Sequence, residues 1–463
     1  MSGRVVDKMK IAIVICVVVN LAAGYKDTYR AAVVQHETQT SDLNGDIPAV
    51  YEAGRANVDI LVLPCSDSLS SEYNYDETVK NLAKAARQAG VYVVAHLHEN
   101  MRCHNKNERI RSNLVFNREG TIVSVYRKPV NPVANCTIVQ DSVTFATDFG
   151  VTFGNLMEED LALHNPALVA KLKNFVVTGP QATEIPFLSA SQFASPWSFV
   201  TGANVLSYTG VYPSVGVRHG ERLIVADLKK EGRGGDSKPP VIDPSELLGF
   251  PVEDFSQYII RPLDVVASRT GYKETVCHKK FCCEFYIKSS FKGSSADINY
   301  GLAAFDGVRH YDRNRYIGTQ SCAVFACAGL YKKSCDVGAP NSTDVVFDKI
   351  TISGNFTKHN SMQFPMIVST GSIKPSQYSM DTKTFRSRQV TIKIQDSSIF
   401  SLGIFGRDFS KDRETVVDER SGSIDPDFYG LLYTENVQEF IDYLWIRLRI
   451  LIFVVSIYIL EMM

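Results

Sequence analysis

The sequence predicts an α/β fold, with a layered α/β domain in the first half followed by a smaller, disulfide-rich, mostly β domain. Three observations predict it. Strand-like apolar runs alternate with helical spacing through the first half, the pattern of layered α/β domains. Beyond about residue 265, Tyr, Phe, Thr and Val dominate and turn signals recur, as in β structure. Six cysteines, Cys277, Cys282, Cys283, Cys322, Cys327 and Cys335, crowd into that second part.

The elements follow in order. Val58 to Pro64 is a continuous apolar run ending in proline, which suits a strand buried on both faces. Asp76 to Ala89 has helical spacing, with Val79, Leu82, Ala83 and Ala86 on one side and Gly90 to end it. Val91 to Leu97 reads as the next strand. Asn113–Asn117 and Ile122–Arg127 flank the turn residues Arg118, Glu119 and Gly120, a hairpin signature. Asn165 to Leu172 reads as a helix with proline in its first turn, and Phe175 to Gly179 as another strand. Residues 229–240, charged and rich in Gly and Pro, read as a surface loop or linker. In the second part Val345–Ile352 and Val390–Ile394 are strand-like.

The chain has 463 residues, 45% apolar and 21% charged, with a formal net charge of -1. That is ample for two domains and ordinary for a globular protein. No basic stripe with interleaved aromatics points to nucleic acid, so no nucleic-acid partner is expected. No cofactor and no metal are expected.

Both ends look like targeting segments. Arg4, Lys8 and Lys10 precede the short apolar run Ile11 to Leu21 and the small residues Ala22, Ala23 and Gly24. Residues 1–24 therefore read as a signal peptide, too short for a comfortable membrane span. Residues 426–463 form a tail whose apolar segment, Ile450 to Leu460, reads either as a GPI signal or as an amphipathic or core helix. Membrane attachment is expected only through such an anchor.

A secreted chain changes the meaning of its cysteines. Cys16 lies in the signal, leaving nine, of which Cys65, Cys103 and Cys136 fall in the first half. In an oxidising compartment the clustered six form a disulfide framework of three bridges, with fifteen pairings open. A zinc site is the competing reading, but among histidines only His278 falls near the usual spacing. Nine is odd, so at least one thiol is expected to be free. Asn135, Asn341 and Asn355 each open a glycosylation sequon, which agrees with an extracellular protein.

Thr275 to Cys283, with its Cys-x4-Cys-Cys pattern, is followed by Ala303 to Gly307 and by Cys322, Cys327 and Cys335. Earlier in the chain come Tyr126-Arg-Lys128, His164-Asn-Pro-Ala167, and the stretch from Pro186 to Ser214. In this order they resemble the vanin and biotinidase family of the nitrilase, or carbon–nitrogen hydrolase, superfamily. The resemblance spans roughly residues 28 to 410. It implies a nitrilase-like αββα sandwich over residues 28–265 and a cysteine-rich β domain over 266–425. It also implies hydrolysis of linear amide C–N bonds of pantetheine or biotin conjugates.

The family's mechanism needs a glutamate base, a lysine and a nucleophilic cysteine, the thiolate attacking while the ammonium and a backbone N–H hold the oxyanion. The resemblance places the lysine at Lys128. It places the glutamate at Cys65 and the cysteine at Glu158. A further carboxylate would fall near Asn135 and is absent. Two of the three residues are thus replaced, each by the other's type. A carboxylate does not replace a thiolate in acyl transfer through a thioester. The expectation is therefore a secreted, catalytically degenerate hydrolase that binds a small pantetheine- or biotin-like amide or a protein partner, with Lys128 and Glu158 as an inert ion pair. The alternatives are an active pantetheinase-type enzyme with rearranged residues, and an interaction module acting through the β domain.

Overall fold

The computed structural model describes residues 27–35, 45–65, 74–103, 106–130, 143–163, 171–179, 190–213, 216–232, 239–243, 255–293, 296, 298–312, 315–327, 335, 343–369, 371–384 and 388–414. The signal peptide, the tail over 426–463, Cys136, Asn135, Asn341, most of the helix read at 165–172 and half of the linker read at 229–240 lie outside these residues.

The chain opens with β1 (Thr28–Val34), α1 (Ile47–Arg55), β2 (Ile60–Cys65), α2 (Tyr75–Ala89), β3 (Tyr92–Cys103), β4 (Lys106–Phe116) and β5 (Ile122–Pro129). The boundaries of α2 follow from its residues. The Asn74 side chain accepts from the Glu77 amide at 3.2 Å, capping the first turn, and Gly90 ends the helix at φ 67°. The expected hairpin is β4 and β5, paired antiparallel from Ile110↔Pro129 to Phe116↔Ile122. Then come β6 (Thr144–Ala146), β7 (Thr152–Met157), α3 (Glu158–Leu163), β8 (Asn174–Thr178), α4 (Ala190–Thr201), β9 (Asn204–Ser207), β10 (Gly210–Tyr212), β11 (Arg218–His219) and β12 (Leu223–Lys229).

Two sheets result. The first runs β11-β12-β1-β2-β3-β4-β5 and the second β10-β9-β8-β7-β6. Alternation along each strand sends one set of side chains to each face. Val33, Val62 and Val94 of the first sheet therefore meet Phe153, Val176 and Leu206 of the second in one buried cluster. The opposite set, Ala32, Leu61 and Val93, packs on Val50 and Ala53 of α1 and Leu82 and Ala86 of α2. Beyond the second sheet, Phe175 and Val205 pack on Leu161 of α3 and on Phe193 and Trp197 of α4. The order of layers is helix, sheet, sheet, helix, as expected from the sequence.

The rest is almost all β: β13 (Val241–Ile242), β14 (Ile259–Pro262), β15 (Tyr272–His278), β16 (Phe281–Ser290), β17 (Asn299–Asp312), β18 (Arg315–Cys327), β19 (Val346–Phe356), β20 (Ser361–Val368), β21 (Tyr378–Thr384), β22 (Arg388–Ile394), β23 (Ser401–Asp408) and β24 (Arg413–Glu414). They form a sheet ordered β13-β20-β23-β18-β17-β14, with β24 on β18, and a second ordered β15-β16-β19-β22-β21. The two enclose an apolar core that includes Ile287, Leu302, Ile352, Ile392 and Ile404. The outer face of the six-stranded path is apolar too. Phe305, Phe325, Phe364 and Phe405 close over α3 and α4 from that side.

All six clustered cysteines are paired. Cys277 joins Cys282 across the β15–β16 hairpin, Cys283 joins Cys322, and Cys327 joins Cys335. The Cys283–Cys322 bridge links β16 to β18, and so staples one sheet of the sandwich to the other. It sits so close to β19 that a Cβ at Gly354 would lie 2.8 Å from Cys322 Sγ. Asn355, the one sequon asparagine described, is exposed on β19.

Candidate active site

The parallel strands β2 and β3 of one sheet and β7, β8 and β9 of the other bring their C-terminal ends together at α3. Ligands of layered α/β proteins commonly bind beyond such strand ends. The three residues singled out from the sequence all come to this end. Cys65 is the last residue of β2 and stands opposite His96 in the parallel register. Lys128 lies near the end of β5. Glu158 is the first residue of α3, directly after β7.

Glu158 and Lys128 do not form the ion pair expected of them. Lys128 Nζ donates to Glu159 Oε1 at 2.8 Å and to Asp160 Oδ1. Glu158 is fully buried and instead accepts from the Ser207 hydroxyl at the end of β9. The reason is helical geometry. Successive residues are turned by about 100°, so Glu158 points away from the side on which Glu159 and Asp160 meet Lys128. Burial pushes the Glu158 carboxyl up to about 8, against a smaller opposing pull from the Ser207 hydrogen bond. Its second oxygen, Oε2, is buried without a hydrogen-bond partner among the described residues.

Its neighbour has the opposite surroundings. Glu159 takes Lys128 and Arg111 on Oε1, the latter at 3.0 Å, and Arg315 on Oε2 at 2.8 Å. Burial alone would raise this carboxyl, but the three cations outweigh it and hold it well below the usual range. Arg315 begins β18, so the β part of the chain contributes directly to this cluster. Asp160 turns back, and its Oδ2 accepts from the Met157 amide at 2.9 Å, tying the start of α3 to β7. Tyr126 lies beneath Lys128, with the ammonium 5.6 Å from the ring centroid.

A second polar group lies on the other side of β8. His96 is fully buried, with Nδ1 2.7 Å from Asn113 Oδ1. Asn113 sends its Nδ2 to the Leu156 carbonyl at 2.7 Å, and its Oδ1 also accepts from Thr178. That leaves Oδ1 facing the ring, so Nδ1 carries the proton and Nε2 presents a lone pair. Burial pushes the imidazole down to about 3, keeping the ring neutral. Nε2 has no partner.

Chemically, this end of the molecule holds a neutral imidazole, a lysine held between two carboxylates, and a buried carboxyl at the β7–α3 turn. Sequence reasoning missed His96, Asn113, Ser207, Arg111, Glu159, Asp160 and Arg315. The polar His96 inside an otherwise apolar strand and the run of three acids were signals that could have been used. Arg315 had none, because its partner Glu159 is 156 positions away.

Comparison with known proteins agrees with the resemblance read from the sequence. Residues 251–412 match the Vanin C-terminal domain. Vanin-like protein 3 of Drosophila melanogaster is 26% identical over 438 residues, covering 78% of this chain and 84% of that protein. A pantetheinase of Canis lupus familiaris is 26% identical over 396 residues, covering 76% of this chain and 74% of that one. Among solved structures, an amidase from Nesterenkonia sp. is 16% identical and covers 44% of this chain and 91% of its own, with a TM-score of 0.32, a likeness too slight to carry an argument.

Proposed function

We propose that this chain, a vanin-like protein, is a catalytically degenerate amidohydrolase of the secretory pathway, a pseudoenzyme that retains the site of a carbon–nitrogen hydrolase without its acyl-transfer step. The observation that carries the reading is Glu158 at the β7–α3 turn, fully buried and held by Ser207. With its carboxyl raised to about 8, it is mainly protonated at neutral pH. A protonated carboxyl is neither a nucleophile nor a base. Lys128 adds to the argument, because its ammonium is already engaged by Glu159 and Asp160. The three disulfides support an oxidising compartment.

The kinship with pantetheinases makes pantetheine the substrate to try. Purified protein should release no cysteamine above a Lys128→Ala control. Steady release that is abolished by Lys128→Ala would overturn the reading. One observation favours a second reading, an active hydrolase with rearranged residues: Cys65 and His96 are neighbours across the parallel register of β2 and β3. That reading requires a hyper-reactive Cys65 and turnover lost in Cys65→Ser. Thiol labelling at neutral pH with mass mapping, run beside the assay, separates the two.

A further inference from the structure

The sheet ordered β15-β16-β19-β22-β21 turns one face to the sandwich core and the other to solvent. On the outer face, Lys273 and Thr275 of β15, Glu284 and Tyr286 of β16, and Thr351 and Ser353 of β19 line a groove of about 450 Å³. Alternation and register set its rows. Glu284 lies between Thr275 and Ser353, and Tyr286 between Lys273 and Thr351. The Ser353 hydroxyl donates to Glu284 Oε2 at 3.2 Å, which holds the carboxylate across the groove. The Tyr286 ring is half-buried, with Lys349 Nζ 5.6 Å from its centroid. The next outward residue of β19 is Asn355, the exposed first residue of the sequon Asn355-Phe-Thr357. At about 3.3 Å per residue, Ser353 lies about 7 Å and Thr351 about 13 Å back along the strand from it.

We propose that this outer face is a saccharide-binding surface, and that its occupant is the N-linked glycan of Asn355, whose first sugars lie back over Ser353, Glu284 and Tyr286. The ligand class follows from the lining. An anion would meet Glu284, a cation would meet Lys273 and Lys349, and an apolar group would strip water from hydroxyls without replacing it. A neutral ring rich in hydroxyls donates to the Glu284 carboxylate and accepts from Lys273, Thr275 and Thr351. Its C–H face suits the ring of Tyr286. The position of Asn355 supplies the occupant, since a glycan attached there begins one row of side chains from the groove. Attachment takes an isoprenoid-diphosphate oligosaccharide as donor. The Asn355 amide nitrogen bonds to the anomeric carbon of the first N-acetylglucosamine, the bond from that carbon to the diphosphate breaks, and the amide gives up a proton as the diphosphate leaves. This inference rests on the reading of the chain as one of the secretory pathway.

The test uses the full chain, secreted from eukaryotic cells and purified folded. Site-resolved mass spectrometry follows removal of the Asn355 glycan by peptide-N-glycosidase, before and after heat denaturation. Release from the folded wild type should be slow. Glu284→Ala and Tyr286→Ala should each speed it roughly tenfold, the effect of losing one or two contacts that hold a docked group. Thr351→Val is read in the same way where either of those is not secreted. Once unfolded, all should release the glycan at one rate. A folded wild type that releases it as fast as the unfolded chain overturns the proposal. So does a folded release rate that no groove substitution changes, or a bare Asn355 on a secreted chain. A chain retained in the cell with no sugar at Asn135, Asn341 or Asn355 overturns the secretory reading and the proposal together, whereas the other failures leave that reading standing.

Discussion

The strand ends around α3 and the disulfide-stapled sandwich show two ways of ordering an interior. In the sandwich, apolar side chains fill the space between two sheets and one covalent bridge, Cys283–Cys322, crosses it. At the strand ends the interior is polar, held by charges that neutralise one another and by buried groups kept neutral. The sandwich is a region built to stay put. The other region is ordered by specific polar partners, Glu159 with its three cations and Glu158 with Ser207. Within the polar region the contrast repeats on the scale of one residue. Glu158 and Glu159 are adjacent, both buried, and pushed in opposite directions, because burial prevails at Glu158 over its one hydroxyl partner while three cations outweigh it at Glu159.

The largest expected effect tests the sandwich. Replacing Cys283 and Cys322 together by alanine opens a bridge whose ends are 39 positions apart. The chain-entropy estimate for such a loop is about 4 kcal/mol. Denaturant titration of the double variant checks it, and a loss under about 1 kcal/mol would mean that the apolar core alone orders the two sheets.

Next comes the ion cluster. Glu159→Ala removes the carboxylate shared by Arg111, Lys128 and Arg315, whose side chains are 15%, 16% and 22% exposed, while Lys128 keeps Asp160. Removing one partner of a buried pair typically costs about 3–5 kcal/mol. The partial exposure of the cations puts the expectation at the lower end, about 3 kcal/mol. Combining Glu159→Ala with Arg315→Met should recover part of that loss. Simple additivity in the double-mutant cycle would show the cluster to be solvated, and the contrast with the sandwich would fail.

A smaller loss, about 2 kcal/mol, is expected from Cys277→Ala with Cys282→Ala, since this bridge closes only a separation of 5 in a hairpin already paired by β15 and β16. A loss equal to that of the cross-sheet bridge would sink the loop-length argument.

The smallest effect carries the sharpest sign. Glu158 has a raised folded-state value of about 8, so between about 4 and 8 the folded chain holds a proton that the unfolded chain releases. Its contribution makes stability fall as pH rises through that window and level off above it. Glu159 is depressed, so its contribution is complete above about 4 and is lost on acidification below that. Glu158→Gln should therefore stabilise the protein by about 1–2 kcal/mol at pH 8 and do little at pH 4. Unfolding at the two pH values distinguishes this from a solvated carboxyl, for which the substitution would change nothing at either.

Much was legible in the sequence alone. Alternation of apolar runs with helical spacing determined the layered first half, because period 2 and period 3.6 each bury one face of their element. The density of cysteines in the second half was enough to expect three bridges, and the six clustered cysteines do form three. The tertiary structure decided the rest. It chose one of fifteen cysteine pairings, because pairing depends on which strands become neighbours and not on spacing. It gave Lys128 to Glu159 and Asp160 instead of Glu158, because one residue along a helix is a turn of about 100°. It brought Arg315 to Glu159 across 156 positions, and it set the proton of His96 on Nδ1 through Asn113. Each of these is a contact between elements distant in sequence, and local pattern carries no record of which distant partner a side chain will meet.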